Sequence, residues 1–450
     1  MSNVIASLKT KIKIILFLFV LFISLKVIAY RLPSELVRKN IEMSYGQLEE
    51  EGLYPQMFYH NDSSQFCGLK LDNWSDAIYL NVAYLANEKN VFKAIAGDFL
   101  GENPDGGGGD PIQDLKYTLE TASYSNGNGI NENTYMRQWF GSQVIFRPLL
   151  CLFTLSEIRM IFQYLVILLS GISVMTIGKL GKAPAVSFLI GILSANIVIV
   201  GSSLNFIGAF LVVLTAAIII PSLKRDFQVA DFMIVIGGTT AFMDLFATPF
   251  LTFPMVTLLL IIKKNHSNQC NTLKQGFILL FQSAIGWLSG YVILWMGKWL
   301  LASVALNTNC FLDAFNEFVN AGTMRPDYGP QTTTGMIRES LRLNFSAIFP
   351  VNLLQILNEK YSIHIEFIII LLIILWVIVN FILYKKGYIK LNNNGYLFCV
   401  ILMMLSPYVW YLFINAHSFV HFWFSYRSQC ATICSVSLLL GTTWTKNNND

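Results

Sequence analysis

The sequence predicts an all-α, multi-pass membrane protein with about ten transmembrane helices. Three observations predict it. Hydrophobic residues make up 54% of the 450 residues and charged residues only 13%, roughly half the ~25% of soluble domains. Apolar runs recur at lengths that cross a bilayer. Basic residues gather in every second connection, the bias that orients membrane helices.

The first expected span is residues 14–30, behind Lys9, Lys11 and Lys13. No small-residue cleavage pattern follows it, so it reads as an uncleaved helix with its N-terminus inside. Lys26 near its end is placed to snorkel outward. Residues 31–155 form the first outer loop. Between residues 31 and 147 there are 16 acidic and 9 basic residues, whereas the whole chain carries +4. The loop is therefore acidic and the rest basic, but no polybasic stripe marks a nucleic-acid partner. Short helices are expected at about 73–88 and 112–122. Four glycines between Asp105 and Asp110 read as a connector, because the alternating ligands of a calcium loop are missing. The stretch from Tyr135 to Gly141, running into an apolar segment with Arg147 and Pro148, reads as an interfacial helix. Trp139 and Phe140 would be its belt aromatics.

The remaining spans are expected near 156–178, 183–200, 204–222, 229–246, 249–262, 275–296, 363–384, 395–414 and 426–444. Alternating them from an inside N-terminus puts Lys179, Lys182, Lys224, Arg225, Lys263, Lys264, Lys385, Lys386 and Lys390 in cytoplasmic loops. Both termini are then cytoplasmic. The short pair around Asp244 and Pro249 also fits one re-entrant feature. The chain thus divides into a first helix (1–30), the first outer loop (31–155), a bundle of about six spans (156–296), a second outer segment (297–362) and three last helices (363–450). The seven cysteines contain no CxxC pair and no cluster with histidine at metal-ligand spacing. Cys67 and Cys310 fall in outer loops, where a disulfide can form.

The polar residues that stand out collect on one membrane face. If the stretch from Leu71 to Leu85 is helical, Asp72 and Asp76 lie one turn apart on one side. Two such carboxylates repel, and where water is partly excluded one is tuned toward general-base use. Asp72 also suits an N-cap, with Ser75 three residues on. Arg137, Arg147, Asp244, Lys298, Arg338, Arg342, His417, His421 and Arg427 map to the same side. Ionisable groups at membrane level are costly and default to function. Lys298, Arg338, Arg342 and Arg427 suit a phosphate. His417 and His421, four apart, favour phosphate hydrogen bonding over a metal, since no carboxylate or thiol accompanies them. Bland readings stand beside these: Arg427 as an interfacial anchor, Lys298 snorkelling between Trp295 and Trp299, and Asp244 as a helix end.

A first helix, a large outer loop with paired aspartates and about nine further spans resemble the GT-C superfamily of integral-membrane glycosyltransferases. The blocks at 71–77, 135–148, 244–249, 290–299 and 417–427 are also similar to bacterial GT-C-like envelope proteins. The resemblance implies a polyprenyl-phosphate-linked sugar donor, a polysaccharide or lipid-linked glycan acceptor, and action on the outer face of the bacterial inner membrane. It implies a catalytic acid in the first outer loop, carried onto Asp76 or Asp72, with a slight preference for Asp76. Arg137, Trp139, Arg147 and Asp244 would then line the acceptor side. No cofactor is implied, and a divalent cation is compatible but not required. Three other readings stay open: a polymerase or ligase of O-antigen or capsule, a transporter of lipid-linked sugars, and a non-catalytic scaffold or receptor with an outer binding domain if the acidic pair is only a cap. The first expects its large loops later in the chain. The second expects mid-membrane charges and repeat symmetry.

Overall fold

A computed structural model describes residues 2–56, 69–87, 90–105, 109–125, 129–349 and 393–442, with isolated positions at 351, 375, 378, 382, 389–390 and 445–446. The described chain is predominantly helical, and its sheets are short two-stranded pairs. Five helices are long and apolar enough to cross a membrane, within Ala6–Tyr30, Leu155–Leu180, Leu204–Ser222, Leu273–Leu306 and Asn394–Phe413. Lys182–Leu193 and Val229–Met243 are shorter apolar helices. The span expected at 363–384 falls almost entirely outside the described residues, as do Cys67 and its suggested pairing.

The chain begins with α1 (Ser2–Tyr30) and α2 (Ser34–Glu51). The segment expected as the first outer loop continues through α3 (Asn73–Leu85), α4 (Val91–Gly97), β1 (Phe99–Gly101), α5 (Pro111–Ser125), β2 (Glu132–Thr134) and α6 (Gln143–Leu150). Strands β1 and β2, with α5 between them in the chain, pair antiparallel, with Leu100 opposite Asn133. This loop is a folded unit with its own apolar core, in which Val37, Ile41 and Leu48 of α2 meet Leu80, Ala83, Leu115 and Phe146. Spacings of four and seven in α2 bring its three apolar residues onto one stripe. Trp139 and Phe140 are wholly buried, which corrects the expectation of belt aromatics on an interfacial helix. Trp139 instead packs edge-on against Phe19 and Phe22 of α1.

The bundle follows as α7 (Leu155–Ile177), α8 (Lys182–Leu193), α9 (Ile197–Val200), α10 (Leu204–Ile219), α11 (Val229–Met243), α12 (Pro249–His266) and α13 (Leu273–Leu306). The span expected at 183–200 is broken, because Asn196 takes a left-handed conformation (φ 54°) between α8 and α9. Around Asp244 the chain forms two helices, α11 and α12, joined by a short turn. Pro249 stands at the start of α12, where its missing N–H costs nothing. Helices α11 and α13 meet at Gly286 and Gly290, whose added Cβ atoms would strike the Ala230 and Ile234 carbonyls. Small residues four apart let the two backbones touch, the usual device where lipid supplies no hydrophobic drive between helices.

Beyond α13 come α14 (Cys310–Thr323), α15 (Thr333–Ser346), α16 (Asn394–Phe413), α17 (Asn415–Val420), α18 (Phe422–Ser425) and α19 (Cys430–Thr442). Helix α13 extends well past the expected boundary at 296, so the second outer segment begins about three turns later.

Candidate functional site

The N-terminus of α3, the α11–α12 turn, α14 and the α17–α18 turn surround a cleft of about 210 Å³. Its walls carry Asp72, Arg137, Gln138, Asn205, Glu317, His417, His421 and Trp423. The aspartate stretch and the histidine turn, far apart in sequence, therefore share one cavity.

Asp72 caps α3. Its Oδ1 accepts from the Ser75 backbone N–H at 3.2 Å, and its Oδ2 accepts from the Ser75 hydroxyl at 2.7 Å and the Asn205 amide at 2.8 Å. A carboxylate has about four acceptor sites, so one on Oδ1 is left over. Burial raises the Asp72 pKa above the ordinary carboxylate range, opposed by the Ser75 and Asn205 hydrogen bonds and by the Arg427 charge.

Asp76 is engaged differently. Its Oδ2 accepts from Arg159 Nη2 at 2.7 Å and Nε at 3.2 Å. Its Oδ1 accepts from the Leu204 N–H at 2.8 Å and the Ser203 hydroxyl at 3.2 Å. All of its acceptor sites are occupied. Arg159 also reaches Glu51 at 2.9 Å and Asn73 at 2.6 Å. The group is a knot tying α2, α3, α7 and the start of α10. Burial pushes the Asp76 carboxyl up to about 6 against the opposing pull of Arg159. Asp76 is fully buried and does not line the cleft.

Arg137 enters from the chain after β2. Its backbone carbonyl accepts from the indoles of Trp295 at 2.8 Å and Trp299 at 3.0 Å, both on α13. Its guanidinium faces Asp313 at 3.3 Å and Glu317 at 3.8 Å on α14. The imidazoles of His417 and His421 lie 4.6 Å apart between ring centres, and Phe246 sits 5.1 Å from His417. Phe246 adopts a positive φ of 71°, a strained conformation for a bulky residue that its packing must hold in place. Burial lowers the His417 pKa to about 4 and that of His421 well below its ordinary value. Both rings are therefore neutral at physiological pH, each with one donor and one acceptor nitrogen.

Six buried polar atoms on the cleft residues have no hydrogen-bond partner among the described residues: Arg137 Nε, Gln138 Oε1, Asn205 Oδ1, His417 Nε2, His421 Nδ1 and Trp423 Nε1. Unpaired buried polar groups cost of order 1–3 kcal/mol each, and native structures contain few of them. They give the cavity wall both donors and acceptors that a polar ligand or water can meet.

The other sequence-derived candidates lie elsewhere. Arg427 is fully buried behind the wall, stacked 3.9 Å from the Phe206 ring centre, with Nε and Nη2 unpartnered among the described residues. Asp244 closes the α11–α12 turn by accepting the Thr248 N–H at 3.0 Å. Arg147 is buried beneath the loop and donates to the Ala83 carbonyl at 2.8 Å and the Leu32 carbonyl at 3.3 Å, which satisfies an orphan carbonyl near the end of α3. Arg338 and Arg342 are exposed and pair with Glu339, away from the cleft walls. Trp139 is a core residue whose indole donates to the Leu294 carbonyl at 2.9 Å.

Lys298 does not snorkel, nor does Lys26. The two ammonium groups grip the single carboxylate of Asp98 at 2.7 and 2.5 Å, and all three side chains are fully buried. Lys26 also donates to the Trp139 carbonyl, Lys298 to the Ile95 carbonyl, and the Tyr30 hydroxyl to Asp98. This triad pins the outer loop onto α1 and α13. Asp98 and Arg159 escaped the sequence reading. The signal available was a charge within or at the edge of an apolar run, which demands a partner.

Among the described residues no three His, Cys, Asp or Glu side chains are placed to hold a metal ion. No family model, curated protein or solved structure matches the chain.

Proposed function

We propose that the chain is a GT-C-like integral-membrane glycosyltransferase of the bacterial inner membrane. It moves a sugar from a polyprenyl-phosphate donor to an envelope glycan on the extracytoplasmic face, with about ten spans and both termini cytoplasmic. The supporting observation is the juxtaposition in one cleft of a carboxylate with an acceptor site to spare, an arginine, two neutral imidazoles and unpartnered buried donors.

Asp72 is the base in this reading, and Asp76 is its support. The Asp72 carboxylate takes the proton of an acceptor hydroxyl as that oxygen attacks the anomeric carbon. The bond from that carbon to the phosphate oxygen breaks, and the lipid phosphate leaves with the electron pair. Arg137 and the His421 imidazole donate to the phosphate as its charge develops, and a donor aimed at developing charge is the strongest lever such a site has. Arg427, behind the wall, adds positive potential in a low-dielectric setting. Lys298, Arg338 and Arg342 have no part, because the first is consumed by Asp98 and the other two face away. The cavity is smaller than the roughly 300–1,000 Å³ that encloses a drug-sized ligand. It suits a sugar headgroup whose lipid tail stays outside.

The test is glycan transfer by Asp72→Asn. Loss of a general base lowers turnover by about 10²–10⁴-fold, with membrane insertion and thermal stability close to those of the unsubstituted chain. Full transfer by Asp72→Asn removes the assignment.

A further inference from the structure

We propose that α14 lies in the membrane–water boundary as an amphipathic wall of the cleft, with one face seated in lipid, so that the cleft opens at the bilayer surface. At 100° per residue the helix divides into three sectors. Cys310 and Ala314 face the protein and are buried. Ala314, Glu317 and Ala321 line the cleft. Leu312, Phe315 and Val319 form a second sector, 57%, 62% and 40% exposed. Asn316 and Asn320 form a third, also exposed. A helix with a protein face, an apolar face and a polar face fits one place, the interface of a bilayer beside a bundle.

The apolar face is continuous with exposed apolar surface on two candidate membrane spans. Helix α13, which packs against α14, presents exposed Leu300 and Val304 just before the connection. At the other end Gly322 abuts the Phe413 carbonyl at the close of α16, and Phe413 is itself exposed. Both α13 and α16 are candidate spans, so a lipid-facing belt runs from one through α14 to the other. The polar edge is held by Arg137 through Asp313 and Glu317. The occupant of the apolar face is therefore bilayer lipid. This seating does not depend on the transferase reading.

The experiment uses the full chain in vesicles of phosphatidylethanolamine and phosphatidylglycerol. Leu312→Cys, Phe315→Cys and Asn320→Cys each carry an environment-sensitive fluorophore, with the signal of the labelled unsubstituted chain subtracted. Nitroxide-bearing lipid should quench the reporters at 312 and 315 by roughly twofold or more while aqueous iodide leaves them bright, and the reporter at 320 should show the reverse. The proposal is overturned if iodide reaches 315 as readily as 320. It is equally overturned if neither quencher reaches 312 or 315, which would mean that protein, such as a second copy of the chain, covers the face.

Discussion

Asp72 and Asp76 sit one turn apart in the same helix, yet their surroundings ask different things of them. Asp76 gives both oxygens to Arg159 and to the start of α10. Asp72, a cleft-lining residue, accepts one bond fewer among the described residues while capping its own helix. Asp76→Asn is therefore expected to lower the thermal midpoint in detergent, because it strips Arg159 of a buried partner. Asp72→Asn is expected to spare stability and stop transfer. If both variants lose stability equally and Asp72→Asn keeps its activity, the division of labour is wrong. The pH dependence follows from the same carboxyl. Burial raises the Asp72 pKa, so the base form is lost as pH falls through a value above the ordinary ~3.9. The acid limb of kcat/KM should therefore lie above that point. His417→Gln should keep the limb, because the carboxyl and not the ring takes the acceptor proton. A limb that disappears in His417→Gln would transfer the titration to the imidazole.

At the scale of elements, the Lys26–Asp98–Lys298 triad carries the connection between the outer loop and the bundle. Removing Asp98 as Asp98→Asn leaves two buried ammonium groups facing one another, an error in the class that costs about 3–5 kcal/mol. Lys26→Met leaves a one-to-one pair of Asp98 with Lys298 and should cost less. Thermal unfolding in detergent ranks the two, and the opposite order would show that the triad is not the clamp. Gly290→Val tests the crossing of α11 and α13 in the same way. The added side chain strikes the Ile234 backbone, which cannot yield, so the variant should be poorly folded or lose stability, and a neutral effect would mean that the helices are less closely seated. These elements also show what a sequence discloses. The cap at Asp72 was readable, because Ser75 lies within one turn and capping is local. Its neighbours in the cleft were readable only as residues of suitable chemistry on one side of a membrane. Asp98 and Arg159 were not readable as partners. Asp98 meets lysines 72 and 200 positions away, and no spacing rule spans such separations. Trp139 looked like a belt residue because an aromatic beside an apolar run has the same pattern whether lipid or protein covers it.

For the whole molecule, the basic connections that oriented the helices make a direct prediction about sidedness. Cysteines introduced at Lys179 and Lys224 should react with an impermeant reagent only after cells are opened, whereas one at Arg338 should react in intact cells. Reaction of all three in intact cells would break the alternating topology. Sidedness matters to the proposed function because Phe246 and Ala247 of the cleft precede α12 while Lys263 and Lys264 lie in its last turn, at the opposite end. In the proposed reaction the lipid-borne donor and the acceptor meet at the cleft end. The most direct measurement is transfer in vesicles holding the purified chain, a polyprenyl-phosphate sugar and an envelope glycan, read by the mass and linkage of the product. The account predicts a glycan extended by one sugar with the unsubstituted chain and none with Asp72→Asn. Extension at the same rate by both proteins would contradict it.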